Sequence, residues 1–136
     1  MPRFGRASFS RLTSCHSDLQ ALFYEVIKYF DCQVLEGHRN QEDQERAFEL
    51  GHSKLHWPYG KHNSYPSMAV DVAPYPVDWK NEKRFYWFAG YVMGIAQKLK
   101  EEGKMTHSVR FGGDWDGDKD IQDEVFKDLV HFELMD

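Results

Sequence analysis

The sequence predicts an α+β fold, a small and largely antiparallel sheet with helices packed on it, in a single domain spanning residues 1–136. Three observations lead there. The chain has 136 residues, 41% of them hydrophobic and 15% aromatic, which suits one domain with a real core rather than a disordered chain. Some segments repeat their apolar residues with the 3.6 period of a helix, and others are short runs rich in β-branched residues. These segments do not alternate strictly as βαβ units, which favours helices segregated against an antiparallel sheet.

Residues 1–9 are expected to be a flexible lead-in. Residues 17–30, SDLQALFYEVIKYF, place Leu19, Leu22, Phe23, Val26, Ile27 and Phe30 on one helical face, with Ser17 as the expected N-cap. CQVLEG reads as a strand closed by Gly37. NQEDQERAFELG reads as a helix capped by Asn40, with acids in its first turn and Gly51 at its end. A loop with Pro58, Gly60 and Pro66 follows, then the strand SMAVDVA, terminated by PYPVDW because proline donates no ladder hydrogen bond. Residues 81–101 form the longest helix, with Phe85, Phe88, Ala89, Val92, Ala96 and Leu99 facing inward and Gly103 ending it. HSVRF is a strand, GGDWDGDKD a loop, and LVHFEL the last strand.

Bulk properties exclude several functions. The net charge is −5 and no long run of Lys or Arg occurs, so no nucleic-acid footprint is expected. No apolar run approaches the ~20 residues that span a bilayer, and the first twenty residues lack the apolar stretch of a secretory signal. Membrane insertion is therefore not expected; synthesis in the cytoplasm and a monomeric state are. Cys15 and Cys32 form neither a CxxC pair nor a disulfide framework and read as small, semi-buried residues of a reducing compartment.

Seven histidines are present, but no HExxH motif. What remains is a loop histidine, His62, a carboxylate inside an apolar strand, Asp71, and a histidine in the last strand, His131. Two imidazoles and one carboxylate can hold Zn²⁺ and leave a fourth position for water, whose pKa zinc lowers to about 7. Asp128, three residues before His131, would then lie at the mouth of the strand as a proton shuttle. Spacing alone leaves a second reading open: Asp71 at an exposed sheet edge, and His131 a hydrogen-bonded, partly buried residue.

Four separated blocks carry a family resemblance: EGHRNQEDQ, GKHNSYPSMAVDVAPYPVDW, RFGGDWDGD and DLVHFEL. In this order, over roughly residues 10–135, they resemble the peptidoglycan-cleaving zinc peptidases of the M15 family, in particular its phage endolysin branch of L-alanyl-D-glutamate and D-Ala-D-Ala peptidases. The resemblance implies that His62, Asp71 and His131 bind zinc and that Asp128 is the catalytic base. It implies that Arg39 binds the scissile carbonyl or a substrate carboxylate and stabilises the oxyanion. It implies hydrolysis of the L-Ala–D-Glu amide in peptidoglycan stem peptides by a lysin. Such a lysin is held in the host cytoplasm until a holin opens the membrane, and then acts on the cell wall. Two readings stand beside it: a D-Ala-D-Ala carboxypeptidase or dipeptidase of the same fold, and a non-catalytic metal-dependent binding module. The sequence departs from the family pattern in two places: nine positions rather than seven separate His62 from Asp71, and the acid before His131 is Asp128 where other branches carry glutamate.

Further candidates surround this set. Gln44 and Lys54 are candidate contacts for stem-peptide carboxylates. Tyr65 is a candidate groove-lining aromatic, and the resemblance makes Trp115 part of the cleft wall. Asp114, Asp116, Asp118 and Asp120 alternate along GGDWDGDKD as a candidate Ca²⁺ loop, although the twelfth position counted from Asp114 is Val125 and not an acid.

Overall fold

Four helices and four strands follow one another as α1 (Arg6–Thr13), α2 (Ser17–Val26), β1 (Cys32–Glu36), α3 (Gln41–Glu49), β2 (Ala69–Pro74), α4 (Glu82–Glu101), β3 (Ser108–Phe111) and β4 (His131–Met135). This computed structural model describes residues 2–124 and 126–135. Met1, Val125 and Asp136, which the expected domain spans, lie outside the described residues. The strands form one antiparallel sheet in the order β1-β2-β4-β3, so the α+β expectation holds.

Strand alternation divides the sheet into two unlike faces. One face is apolar. Val34, Val70, Val72, Val109, Phe111, Phe132 and Leu134 pack there with residues of α2 and α4. Phe132 is fully buried, with its ring 5.6 Å from Phe23 of α2 and 6.3 Å from Phe88 of α4. The predicted inward face of α4 matches its buried residues, and Asn81 caps it through the N–H of Arg84. The other face is charged: Glu36 pairs with Asp71, Asp71 with His131, and Glu133 with Arg110. Residues paired directly across strands share a face, so these five polar side chains cross the sheet in one band.

Two expectations near the N-terminus need correction. The expected flexible lead-in 1–9 enters α1 at Arg6. That helix is weakly apolar and is held by tertiary contacts: Arg11 donates to the Val34 carbonyl at 3.0 Å, and Ser8 Oγ accepts from the Val34 N–H at 3.1 Å. The cap of α2 is His16 rather than Ser17, because the His16 Nδ1 accepts the Asp18 N–H at 2.9 Å. Asp18 is free to turn inward, where its Oδ2 accepts from Thr106 and His107 and ties α2 to the loop before β3. Cys15 and Cys32 are both free and buried, and burial pushes each thiol up to about 12. Among the described residues, no helix is long and apolar enough to cross a membrane.

Candidate metal centre and active-site cleft

β2 and β4 place Asp71 opposite His131 on the charged face. His62 arrives from the loop between α3 and β2, and backbone bonds explain how the nine-position spacing is accommodated. Met68 N donates to the Lys61 carbonyl and closes residues 61–68 into a loop. Its outer part is pinned to the turn between α1 and α2, since Ser67 N donates to Ser14 O and His16 N donates to Ser67 O, both at 2.9 Å. The extra residues therefore bulge away from the site, and His62 is turned back over the sheet with its carbonyl accepting from Arg39 N at 2.8 Å.

His62 Nε2 lies 3.2 Å from Asp71 Oδ1, and His131 Nδ1 lies 3.4 Å from the same oxygen. The three ligand atoms are all within 4.8 Å of one another, and all three residues are buried. The outer edge of each imidazole is held by an acceptor. His62 Nδ1 is 2.7 Å from the Gly37 carbonyl, and His131 Nε2 is 2.8 Å from Glu133 Oε1. A carbonyl and a carboxylate only accept, so these two nitrogens carry the protons. In the neutral tautomers the other two nitrogens turn their lone pairs onto Asp71. Three acceptors then converge with no donor between them, which suits a cation. Outer-shell acceptors of this kind are the usual means of orienting histidine ligands, and two nitrogens with one oxygen suit zinc.

The electrostatics follow from this crowding. Burial works against charge on Asp71, but His62 and His131 outweigh it and hold its pKa far below the carboxylate range. Burial likewise opposes the His131 cation, yet hydrogen bonds to Asp71 and Glu133 raise it to about 9. Glu133 is held at about 2 against burial by His131 and Arg110. A metal ion bound here would take the place of the proton that the carboxylates attract. Asp128 stands just outside the triad, with Oδ2 4.0 Å from His131 Nδ1. Burial first, and then the charge of Asp71, push its carboxyl up to about 6.

The cleft over this centre has two adjoining depressions of about 410 and 620 Å³, and Asp128 lines both. Trp115 forms a wall, with its ring 5.3 Å from His131 and its Nε1 donating to Phe126 O at 2.8 Å. Lys54 also lines it, with Nζ 4.7 Å above the Phe126 ring. Arg39 is 7% exposed and mostly committed within the protein. It donates to both oxygens of Glu36 at 2.9 and 2.8 Å and to Gln44 at 3.0 Å, and lies 3.7 Å from Asp71 Oδ2.

Two expected substrate contacts are placed differently from the expectation: Gln44 borders the cleft with its polar groups already paired, and Tyr65 lies outside it. Gln44 is fully buried, with its amide donating to Ser53 and Leu55 and its oxygen accepting from Arg39 and Asn63. It clamps the loop 52–63 onto α3 and has no polar group left for a ligand. Tyr65 is 73% exposed, stands edge-on to His38 and lines a separate depression beside Arg11 and Ser14. It lies on the bulge that the long His62–Asp71 spacing sends outward.

In the acidic loop, Asp114, Asp116 and Asp118 gather, and Asp116 also approaches Asp123 and Glu124. Asp120 joins neither group; its Oδ1 accepts from Gln122 N at 2.9 Å. Asp114 Oδ1 is buried and has no hydrogen-bond partner among the described residues.

Some residues that shape the centre escaped the sequence reading. Glu133 orients His131, and its signal was available: two residues on in a strand, it must share the His131 face. The Gly37 carbonyl orients His62. Gly112 holds both Asp128 and His131 through its backbone, its N–H donating to His131 O and its carbonyl accepting from Asp128 N, each at 2.8 Å. Neither glycine carries a side-chain signal.

The family model described as phage L-alanyl-D-glutamate peptidase matches residues 1–135. A solved structure, the Serratia marcescens L-Ala D-Glu endopeptidase ChiX, superposes with a TM-score of 0.72 at 24% identity, covering 98% of this chain and 90% of that one. At that identity the likeness concerns the fold. No curated protein matches significantly.

Proposed function

This chain belongs to the phage L-alanyl-D-glutamate peptidase family, and we propose that it hydrolyses the L-Ala–D-Glu amide of peptidoglycan stem peptides with zinc held by His62, Asp71 and His131. The observation that carries this reading is the locked pair of imidazoles, each fixed by an outer acceptor so that two lone pairs meet one buried carboxylate. When bound, zinc supplies Lewis-acid polarisation of the carbonyl and makes water a nucleophile near neutral pH.

The remaining work falls to the chain. Asp128, beside the ligands and open to both halves of the cleft, accepts the proton of the attacking water and returns it to the leaving amine. The buried Arg39 charge sits next to Asp71 and offsets negative charge that builds on the carbonyl oxygen. Trp115 and Phe126 wall the cleft, hold the peptide and limit water. The setting we propose is that of a lysin, held in the host cytoplasm until a holin opens the membrane and then acting on the wall.

The test is mass spectrometry of purified peptidoglycan after digestion. Fragments with a new N-terminal D-Glu are expected, lost on chelation with EDTA and regained with zinc. Release of D-Ala without new D-Glu termini contradicts the assignment of the bond.

We also propose that the acidic loop holds Ca²⁺ through Asp114, Asp116 and Asp118. The support is the buried, unpartnered Asp114 oxygen, which a hard cation would satisfy. EGTA at a concentration that leaves zinc bound is expected to raise the protease sensitivity of residues 114–124. An unchanged cleavage pattern with and without Ca²⁺ removes this site.

A further inference from the structure

We infer that Arg110 is the specificity residue of the cleft, recognising the free α-carboxylate of the D-Glu residue on the leaving side of the scissile amide. This rests on the peptidase reading above and deepens it. The position follows from the strand register: Arg110 pairs directly with Glu133, two residues beyond His131, so it stands on the charged face beside the metal centre. Its NH2 group donates to Glu133 Oε2 at 2.7 Å, while the other oxygen of that carboxylate takes the His131 Nε2 proton at 2.8 Å. Its guanidinium lies 5.5 Å from the Trp115 ring, which itself lies 5.3 Å from His131. The cation is thereby fixed in direction, one aromatic ring away from a metal ligand.

It is fixed but not used up. The side chain is 37% exposed and lines the cleft. Among the described residues NH2 is the guanidinium nitrogen bonded to Glu133 and Nε is buried without a partner, so the planar fork keeps donors to spare. Glu133 does not cancel this charge alone, because Lys61 Nζ approaches the same carboxylate at 3.7 Å. Cations outnumber carboxylates along this half of the cleft, and carboxylates outnumber cations along the other half, where Glu36, Asp43 and Asp71 lie.

The substrate has a matching polarity. The residue that supplies the scissile nitrogen is D-Glu, linked onward through its side-chain carboxyl, so its α-carboxylate is free on the carbon next to that nitrogen. The L-Ala side offers no anion so close to the bond. A guanidinium with a preset plane is the side chain suited to a carboxylate at one location, and placing it in the Arg110 half sets the direction in which the stem peptide lies.

The other role open to Arg110 is that of a counterion that only steadies Glu133, and the experiment separates the two. Zinc-loaded wild-type protein and Arg110→Gln are compared on two stem peptides that differ in one group, the α-carboxylate of D-Glu and the α-carboxamide of D-isoglutamine. Wild type is expected to favour the carboxylate by about tenfold to a hundredfold in kcat/KM, mostly through KM. Arg110→Gln is expected to bring that ratio close to one, and Arg110→Lys to restore part of it. A variant that loses activity equally on both peptides, or that loses zinc while keeping the ratio, makes Arg110 a counterion and overturns the inference. A wild-type protein that cleaves both peptides equally overturns it as well, and leaves the peptidase reading standing. A zinc-loaded wild type that cleaves neither removes both.

Discussion

Asp128→Asn is expected to lower stem-peptide hydrolysis by about 10²–10⁴-fold, the usual contribution of a positioned general base, while the protein still folds and still binds zinc. Asparagine keeps the shape of the side chain and cannot take a proton. The position is separable from the ligand set because Asp128 Oδ2 is 4.0 Å from the nearest imidazole nitrogen, whereas the ligand carboxylate Asp71 lies 3.2 and 3.4 Å from His62 and His131. Its backbone is held independently of its side chain, through the bond from Asp128 N to Gly112 O. The check is steady-state kinetics on a defined stem peptide beside a zinc assay of the same preparation. A variant with wild-type turnover is not missing its base, and one that loses zinc has lost a ligand instead.

Gly112→Ala is expected to be nearly as damaging, for a reason of space rather than chemistry. A Cβ at Gly112 would sit 2.1 Å from the Asp128 carbonyl oxygen and 3.0 Å from the Asp128 Cβ. Backbone atoms cannot swing aside as a side-chain tip can, so β3 and the segment before β4 must separate. That strains the bonds by which Gly112 holds Asp128 and His131. Overpacking of this kind costs about 1–3 kcal/mol, and a displacement of about 1 Å at a reacting group costs about 100-fold in rate. Gly90→Ala is the control. It lies in α4 with nothing within 4 Å of the added methyl, so helix propensity should make it neutral or stabilising by up to about 1 kcal/mol. Thermal melts and turnover of the two variants decide the matter; equal melting temperatures and rates would show that the close approach at Gly112 is not limiting.

How much of this was legible in the sequence depends on where each residue takes its environment. The inner face of α4 could be read outright, because twenty helical residues repeat the pattern over many turns. α1 could not, because RASFSRLT carries few apolar residues and is held by polar bonds to Val34 of a strand distant in sequence. Asp71 looked anomalous in an apolar strand, and local pattern allowed both an exposed edge and a ligand. Its actual place, in a strand flanked on both sides, follows from the order β1-β2-β4-β3, which spacing does not encode. The resemblance to a peptidase family named His62, Asp71 and His131, and the fold brings these three together. Gln44 misled because it sits in a polar helix whose outer side is covered by the loop 52–63, a contact between segments that no window of sequence contains. Glu133 was legible in principle from strand period, whereas Gly37 and Gly112 act through backbone atoms that every residue type possesses.

The centre formed by His62, Asp71 and His131 is tested most directly by metal analysis of the folded protein. Wild-type protein and His131→Ala are exposed to zinc, dialysed, checked for native circular dichroism and measured for bound metal. About one zinc ion per chain is expected in the wild type, with almost none in the variant, which loses a ligand. A folded wild type that binds no zinc, or a His131→Ala protein that binds as much as the wild type, contradicts it.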